Sequence, residues 1–240
     1  MIDSLNFSKI FDKYAENYSD FVINYTVQRR YETICKLLKG DVLELGSADG
    51  KILNYKSQYR SITLSDISTS MCEIIEKTYN KKTLCIDVDS FDIRPKKFDS
   101  IVALDVLCYS NNLNSSIKNI KNHLKPEGTI YISTFNPKMK FLLQVRKFLN
   151  KHTNFKHLWI DESIPINHEY LDITKLKIEL NKQKLRILRI YYIAPLPFRA
   201  FHWLNLVFEK TYLKYLSSNI IFEVYQDNKL RPLSLSENKE

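Results

Sequence analysis

Two spacings of apolar residues alternate along the chain, and together they predict its elements. Residues 7–19 carry Phe7, Ile10, Phe11, Tyr14 and Tyr18 along one face of a helix, and a second helical stretch runs from Ile23 to Leu38. Gly40 is expected as the left-handed residue that closes this second helix. Short apolar runs then take over: Val42–Leu45, Ser61–Ser65, Thr83–Ile86, Asp99–Leu104 and Thr129–Thr134. Helical stretches separate them: a short one beyond Gly50, one from Ser68 to Tyr79 with Ser68 as N-cap, and one from Asn114 to Leu124 that stops at Pro126-Glu127-Gly128. Runs that are apolar throughout, alternating with helices, predict a parallel sheet covered on both faces.

The rhythm changes after Thr134. Residues 138–149 form a basic amphipathic stretch, followed by a loop holding His152, His157, Trp159, Asp161, His168 and Tyr170. A helix over Ile173–Lys182 leads to a sixth strand, Leu185–Tyr192. Residues 195–218 are aromatic and apolar with basic residues interspersed, and Asn219–Tyr225 reads as a seventh strand. No internal repeat or low-complexity linker interrupts the chain, so residues 1–240 are expected to form a single domain, with 234–240 as a frayed tail.

The chemistry concentrates at the strand ends. Glu44, Asp66, Asp87 and Asp105 each sit where a strand finishes, the edge at which open parallel sheets bind ligands. The chain has only 4 glycines, and Gly40, Gly46 and Gly50 lie in or beside Glu44-Leu45-Gly46-Ser47-Ala48-Asp49-Gly50; the fourth is Gly128. Glycine spent there points to positive φ or close approach of a ligand, above a helix start suited to a nucleotide-like molecule.

Composition narrows the classes. With 44% hydrophobic residues the chain can bury a sizeable core, and it has no apolar run long enough for a spanning helix. The start, Met1-Ile2-Asp3, lacks the features of a secretory signal. Cys35, Cys72, Cys85 and Cys108 form no CxxC pair, so reduced thiols, a cytoplasmic setting and no metal site are expected. The net charge of +9 is spread along the chain without a basic run, and nothing in the sequence fixes an oligomeric state.

Taken in order, the motifs resemble those of the class I S-adenosylmethionine-dependent methyltransferases, particularly small-molecule members of the ubiquinone and sugar types. Val42–Gly50 resembles the first motif, with Ala48 where the family has its middle glycine; Leu64–Met71 resembles the second and Cys85–Asp89 the third. Phe98–Leu107 resembles the fourth, and Leu124–Ile130 the entry to strand five. A nicotinamide fingerprint is excluded, since Gly46–Gly50 lacks two of its three glycines.

The resemblance implies a seven-stranded Rossmann-like α/β sheet, mostly parallel, with an antiparallel last strand. Residues 1–39 would be a helical cover, 40–135 the cofactor-binding half, 136–218 the substrate cover with strand six, and 219–227 the last strand. For S-adenosylmethionine it implies Glu44 at the ammonium, Gly46, Ser47, Asp49 and Gly50 in the loop around it, and Asp66 at the ribose hydroxyls. Ile67 and Met71 would flank the adenine, Asp87 and Val88 would meet its polar edge, and Leu104 and Tyr18 would complete the lining. Arg29 or Arg30 could pair with the cofactor carboxylate.

The acceptor side is thinner. A family histidine after strand four is replaced by Leu107-Cys108-Tyr109, leaving Tyr109 and His168 as candidate catalytic residues and the general base unassigned. The expected partner is a lipid-like, quinone-like or sugar acceptor. Residues 138–149 are a candidate for peripheral membrane contact. RNA methylation is the alternative, disfavoured because no RNA-binding module or Asn-Pro-Pro-Tyr signature is present; a methyltransferase-like binding module without activity is a third reading.

Overall fold

The computed structural model describes residues 4–19, 25–139, 171–196, 201–217 and 219–227. The loop histidines His152, His157 and His168, most of the basic stretch 138–149 and the tail 234–240 lie outside the described residues.

Seven strands form one sheet: β1 (Lys39–Leu45), β2 (Gln58–Asp66), β3 (Thr83–Cys85), β4 (Phe98–Leu104), β5 (Leu124–Phe135), β6 (Leu185–Ile193) and β7 (Asn219–Gln226). Their order is β3-β2-β1-β4-β5-β7-β6. The pairs from β3 through β5 are parallel, while β7 inserts antiparallel between β5 and β6. The helices are α1 (Ser4–Tyr14), α2 (Tyr25–Cys35), α3 (Thr69–Tyr79), α4 (Leu113–Asn122), α5 (Ile173–Lys182) and α6 (His202–Phe208). None among the described residues is long and apolar enough to cross a membrane.

The strands are apolar throughout because both faces of the sheet are covered. Leu43, Leu45, Ile101, Ala103, Ile130 and Ile132 pack on one side with Ile117 and Ile120 of α4 and Leu176 and Leu180 of α5. Their sequence neighbours Val42, Val102, Leu104 and Tyr131 face the other side, with Ile34 of α2 and Ile75 of α3. Phe98 is fully buried in the first cluster. Side chains of this size each contribute about 1.5–3 kcal/mol on burial, so strand parity is firmly fixed.

Several boundaries differ from the sequence reading. Gly40 does not close a helix: α2 ends at Cys35 and Gly40 lies within β1, at φ +61, where the pairing with β2 shifts register. Strand five starts five residues early, at Leu124, and Pro126-Glu127-Gly128 lies inside it. A register shift between Phe98 and Ser100 opposite this segment absorbs the proline, which cannot donate to the ladder. The first helix is shorter than expected and passes into a 3-10 turn at Ala15–Asn17.

Candidate functional site

The loop after β1 is shaped by three left-handed residues in five: Gly46 at φ +66, Ala48 at φ +48 and Gly50 at φ +74. A side chain on Gly46 would place its Cβ 2.3 Å from Val106 Cγ2, so glycine lets this loop pass under the end of β4. The Ser47 N–H donates to Ser65 O at 2.8 Å, tying the turn to β2, and the Ser47 hydroxyl donates to Glu44 O at 3.3 Å, tying it back to β1. Ala48 holds a conformation that favours glycine, and its methyl packs with Ala15 and Met71, beside Tyr18.

Carboxylates surround this loop. Glu44 is 2% exposed, its Oε2 has no hydrogen-bond partner, and burial pushes its pKa up to about 8. Asp66 ends β2, where Oδ2 accepts from the Ala48 N–H at 2.8 Å and Oδ1 from the Ser68 N–H at 2.9 Å. Burial still raises Asp66, to about 6, against those bonds. Asp49 is buried with Oδ1 unpartnered, while its Oδ2 accepts from the Ser19 hydroxyl. A buried carboxylate oxygen without a donor is costly, so Glu44 and Asp49 are poised for a cationic or hydrogen-bond-donating ligand.

Beyond β3 the chain turns at Asp87, whose Oδ1 accepts from the Asp89 N–H at 2.9 Å; Asp87 and Val88 are both half-buried, and Val88 rests on the core. Asp89 closes the third motif, but the resemblance gave it no role. Its carboxylate accepts from the Ser110 hydroxyl at 2.6 Å, the Ser116 hydroxyl and the Asn111 N–H at 2.8 Å, locking this turn to the loop after β4. Asp105, at φ +55 just past β4, forms an ion pair with Arg30 of α2. Its Oδ1 accepts from the Ser133 hydroxyl at 2.8 Å, and its Oδ2 lies 3.5 Å from Asn219 Nδ2. Arg29 is taken by Glu32 and Glu209, leaving Arg30, whose buried Nε has no partner, as the arginine facing the strand ends.

Helix α1 bridges this edge. Asp12 accepts from the Ser68 hydroxyl at 2.6 Å and the Ser70 N–H at 3.1 Å at the start of α3; the Ser8 hydroxyl donates to Ile67 O at 3.2 Å. At its other side, Phe7 and Phe11 meet the Tyr109 ring at 5.2 and 5.3 Å. Burial pushes the Tyr109 and Tyr18 hydroxyls above their ordinary range, so both are neutral phenols. The structure thus gathers Glu44, Gly46, Ser47, Asp49, Gly50, Asp66, Met71 and Tyr18 around one loop, with Ile67 half-buried beneath α1. Leu104 is buried in the core below them and Tyr109 lies across the edge. Asp12 escaped the sequence reading because only the folded arrangement puts it on the N-terminus of α3.

Residues 43–132 match the family described as a methyltransferase domain. A malonyl-[acyl-carrier protein] O-methyltransferase of Acetivibrio thermocellus is 23% identical over 189 residues, covering 73% of this chain and 64% of that protein. One from Priestia megaterium is 29% identical over 100 residues, 39% of this chain and 36% of that protein. The chain therefore spans about one third to two thirds of the length of these curated relatives. Among solved structures, N-methyltransferase NodS from Bradyrhizobium japonicum WM9, in complex with S-adenosyl-L-homocysteine, superposes with a TM-score of 0.59 at 12% identity, covering 90% of this chain and 98% of that one. The sheet order, its antiparallel β7 and the matched segment agree: residues 43–132 are similar to a methyltransferase domain, and the sheet around them has the fold of solved S-adenosylmethionine-dependent methyltransferases.

Proposed function

We propose that the chain catalyses S-adenosylmethionine-dependent methyl transfer to a small-molecule acceptor of lipid-like, quinone-like or sugar character. The observation that carries the cofactor half is Glu44, a buried carboxylate with a free oxygen beside a left-handed loop. The residues fit the group. Glu44 and the 46–50 loop would hold its amino-acid end and Arg30 its carboxylate. Asp66 would take the ribose hydroxyls, and Ile67, Met71, Asp87 and Val88 the adenine. When bound, the cofactor supplies a methyl already activated by a sulfonium. The protein's part is to orient the acceptor and exclude water, which α1, Tyr18 and Tyr109 would do over the strand ends.

The acceptor belongs on the side of β4, β5 and β7, where Asp105, Ser133 and Asn219 cluster. With Tyr109 a neutral phenol packed by Phe7 and Phe11, it shapes this side and leaves proton removal to the acceptor or to residues such as His168. The names of the curated relatives bring an acyl-carrier-bound carboxylate into the same class of acceptors. RNA methylation remains the competing reading.

Calorimetry with S-adenosylmethionine tests the cofactor half: binding is expected, and Asp66→Ala should weaken it at least tenfold. Absence of binding, or unchanged affinity in that variant, would overturn the proposal. RNA binding that weakens steeply with salt, without methylation of small acceptors, would favour the RNA reading.

A further inference from the structure

Helix α6 faces the wrong way for a helix that merely covers the sheet. Its inward residue is Asn205, fully buried, whose Nδ2 donates to Leu196 O at 2.8 Å and to the Tyr25 hydroxyl at 3.2 Å, while Oδ1 accepts from the Leu196 N–H at 2.8 Å. His202 Nδ1 meets the same Tyr25 hydroxyl at 2.9 Å. Its apolar residues Trp203, Leu206 and Val207, at i, i+3 and i+4, point outward, and Trp203 is 65% exposed. The 3-10 turn Tyr212–Leu216 continues the surface with Tyr212 at 87% exposure and with Leu213, Tyr215 and Leu216. Clusters this large on a surface mark an interaction site.

Charge identifies the occupant. Lys210 is exposed among these residues, Lys214 lies 5.4 Å from the Tyr215 ring and 6.0 Å from the Tyr192 ring, and Lys138 reaches Tyr215 from the end of β5 at 5.8 Å. The one carboxylate within 201–217, Glu209, is turned inward, accepting from Arg29 at 2.7 Å and from the Ala194 N–H at 3.1 Å. Within 201–217 the exposed side chains are therefore mainly apolar, aromatic and cationic, and none is acidic. That pairing suits the interface of an anionic bilayer, where Trp and Tyr sit at headgroup depth and lysines meet lipid phosphates. A second copy of the same surface would oppose lysine to lysine in a chain of net charge +9.

We propose that α6 and the Tyr212–Leu216 turn dock the protein on an anionic membrane surface. The dock adjoins the acceptor side: Asn136 Nδ2 donates to Ser217 O at 2.8 Å and to Tyr215 O at 3.3 Å, pinning the turn to the end of β5, two residues before Asn219. An acceptor drawn from the bilayer would thus emerge beside Asp105. This deepens the lipid-like reading of the acceptor, and its test does not pass through catalysis.

The experiment is co-flotation of the full chain with vesicles of phosphatidylcholine alone or with one quarter phosphatidylglycerol, at low and high salt. Binding to the anionic vesicles is expected, with release by salt. Neutralising two lysines in Lys210→Gln/Lys214→Gln should lower partitioning about 25-fold, since each lysine near an anionic surface is worth about fivefold. Trp203→Ser/Tyr212→Ser should abolish it, with circular dichroism and S-adenosylmethionine affinity unchanged. Failure to bind anionic vesicles, binding by either variant equal to that of the wild type, or conversion of a dimer to a monomer by the aromatic variant would overturn the proposal. Loss of cofactor binding with vesicle binding intact would instead sink the methyltransferase reading alone.

Discussion

Cofactor affinity should rise with pH, because Glu44 must release a proton to accept a cationic partner. Its Oε2 is buried without a donor and its pKa is pushed up from 4.5 to about 8, so at pH 7 about nine in ten of the free side chains are protonated. An ammonium set against that oxygen favours the carboxylate. Ionising Glu44 first costs about 2.7 kcal/mol at pH 6 and about 1.4 kcal/mol at pH 7, so Kd should fall about ninefold over that interval. Asp66, raised to about 6, adds roughly a factor of two if the ribose hydroxyls engage its ionised form.

Fold stability runs in the opposite direction. A carboxyl whose folded pKa is raised stabilises the fold fully below its unfolded value of 4.5 and loses that contribution as pH climbs through about 8. The free protein should therefore soften across the window in which binding strengthens. Calorimetry at both pH values, in buffers of different ionisation enthalpy, reads both slope and proton count; close to one proton should leave per cofactor bound at pH 7. Glu44→Gln should reduce the slope to the roughly twofold part carried by Asp66 and cut proton release to a small remainder. A pH-independent Kd, or the full slope surviving in Glu44→Gln, would refute the reasoning.

Three further outcomes are expected. Gly46→Ala should destabilise the fold by about 2–4 kcal/mol in urea unfolding, from its left-handed backbone and the clash with Val106, and Val106→Ala should recover part of that loss. Asp12→Ala should cost about 1–2 kcal/mol and raise hydrogen exchange across α1, because burial of its carboxylate is outweighed by the Ser68 hydroxyl and Ser70 N–H, which hold its pKa low. That contribution is present above pH 3.8 and lost as pH falls through the lowered folded value, so the wild type and the variant should converge in acid. Asp89→Ala should remove about 1–3 kcal/mol and loosen the loop after β4, seen as reduced exchange protection of Asn111 and Asn112.

The cofactor half of the fold was legible because its signals are local. An apolar run ending in Glu44, Asp66 or Asp105, followed by a helix, identifies the strand and its carboxylate end within ten or so residues, and Ser68 announced its own helix by capping Met71. What stayed hidden depends on distant partners. Pro126-Glu127-Gly128 looks like a turn until Phe98 and Ser100 are placed opposite it. Arg30 and Asp105 are far apart in sequence, and no periodicity pairs them. Asn205 is polar and fully buried, so a reading that assigns polar residues outward inverts α6. The local pattern located the carboxylates at the strand ends; the acceptor side proposed above rests on the sheet's later strands.

The position of β7 has a consequence for how the chain is made. Strand β5 pairs with β4 on one side and with β7 on the other, and residues 136–218 separate β5 from β7 in sequence. As a nascent chain leaves the ribosome, β1 to β5 can assemble with their helices while the outer edge of β5, Thr129–Phe135, waits unpaired. An open apolar edge of this kind invites pairing with neighbouring chains. Binding of the small ligand to the early half would steady it during that interval, whereas Asn219, and with it the finished neighbourhood of Asp105, arrives only when β7 slots in. The protein would thus complete the carboxylate-lined loop proposed to hold the methyl donor before the side proposed for the acceptor, and a ribosome stalled ahead of residue 219 would display the first without the second.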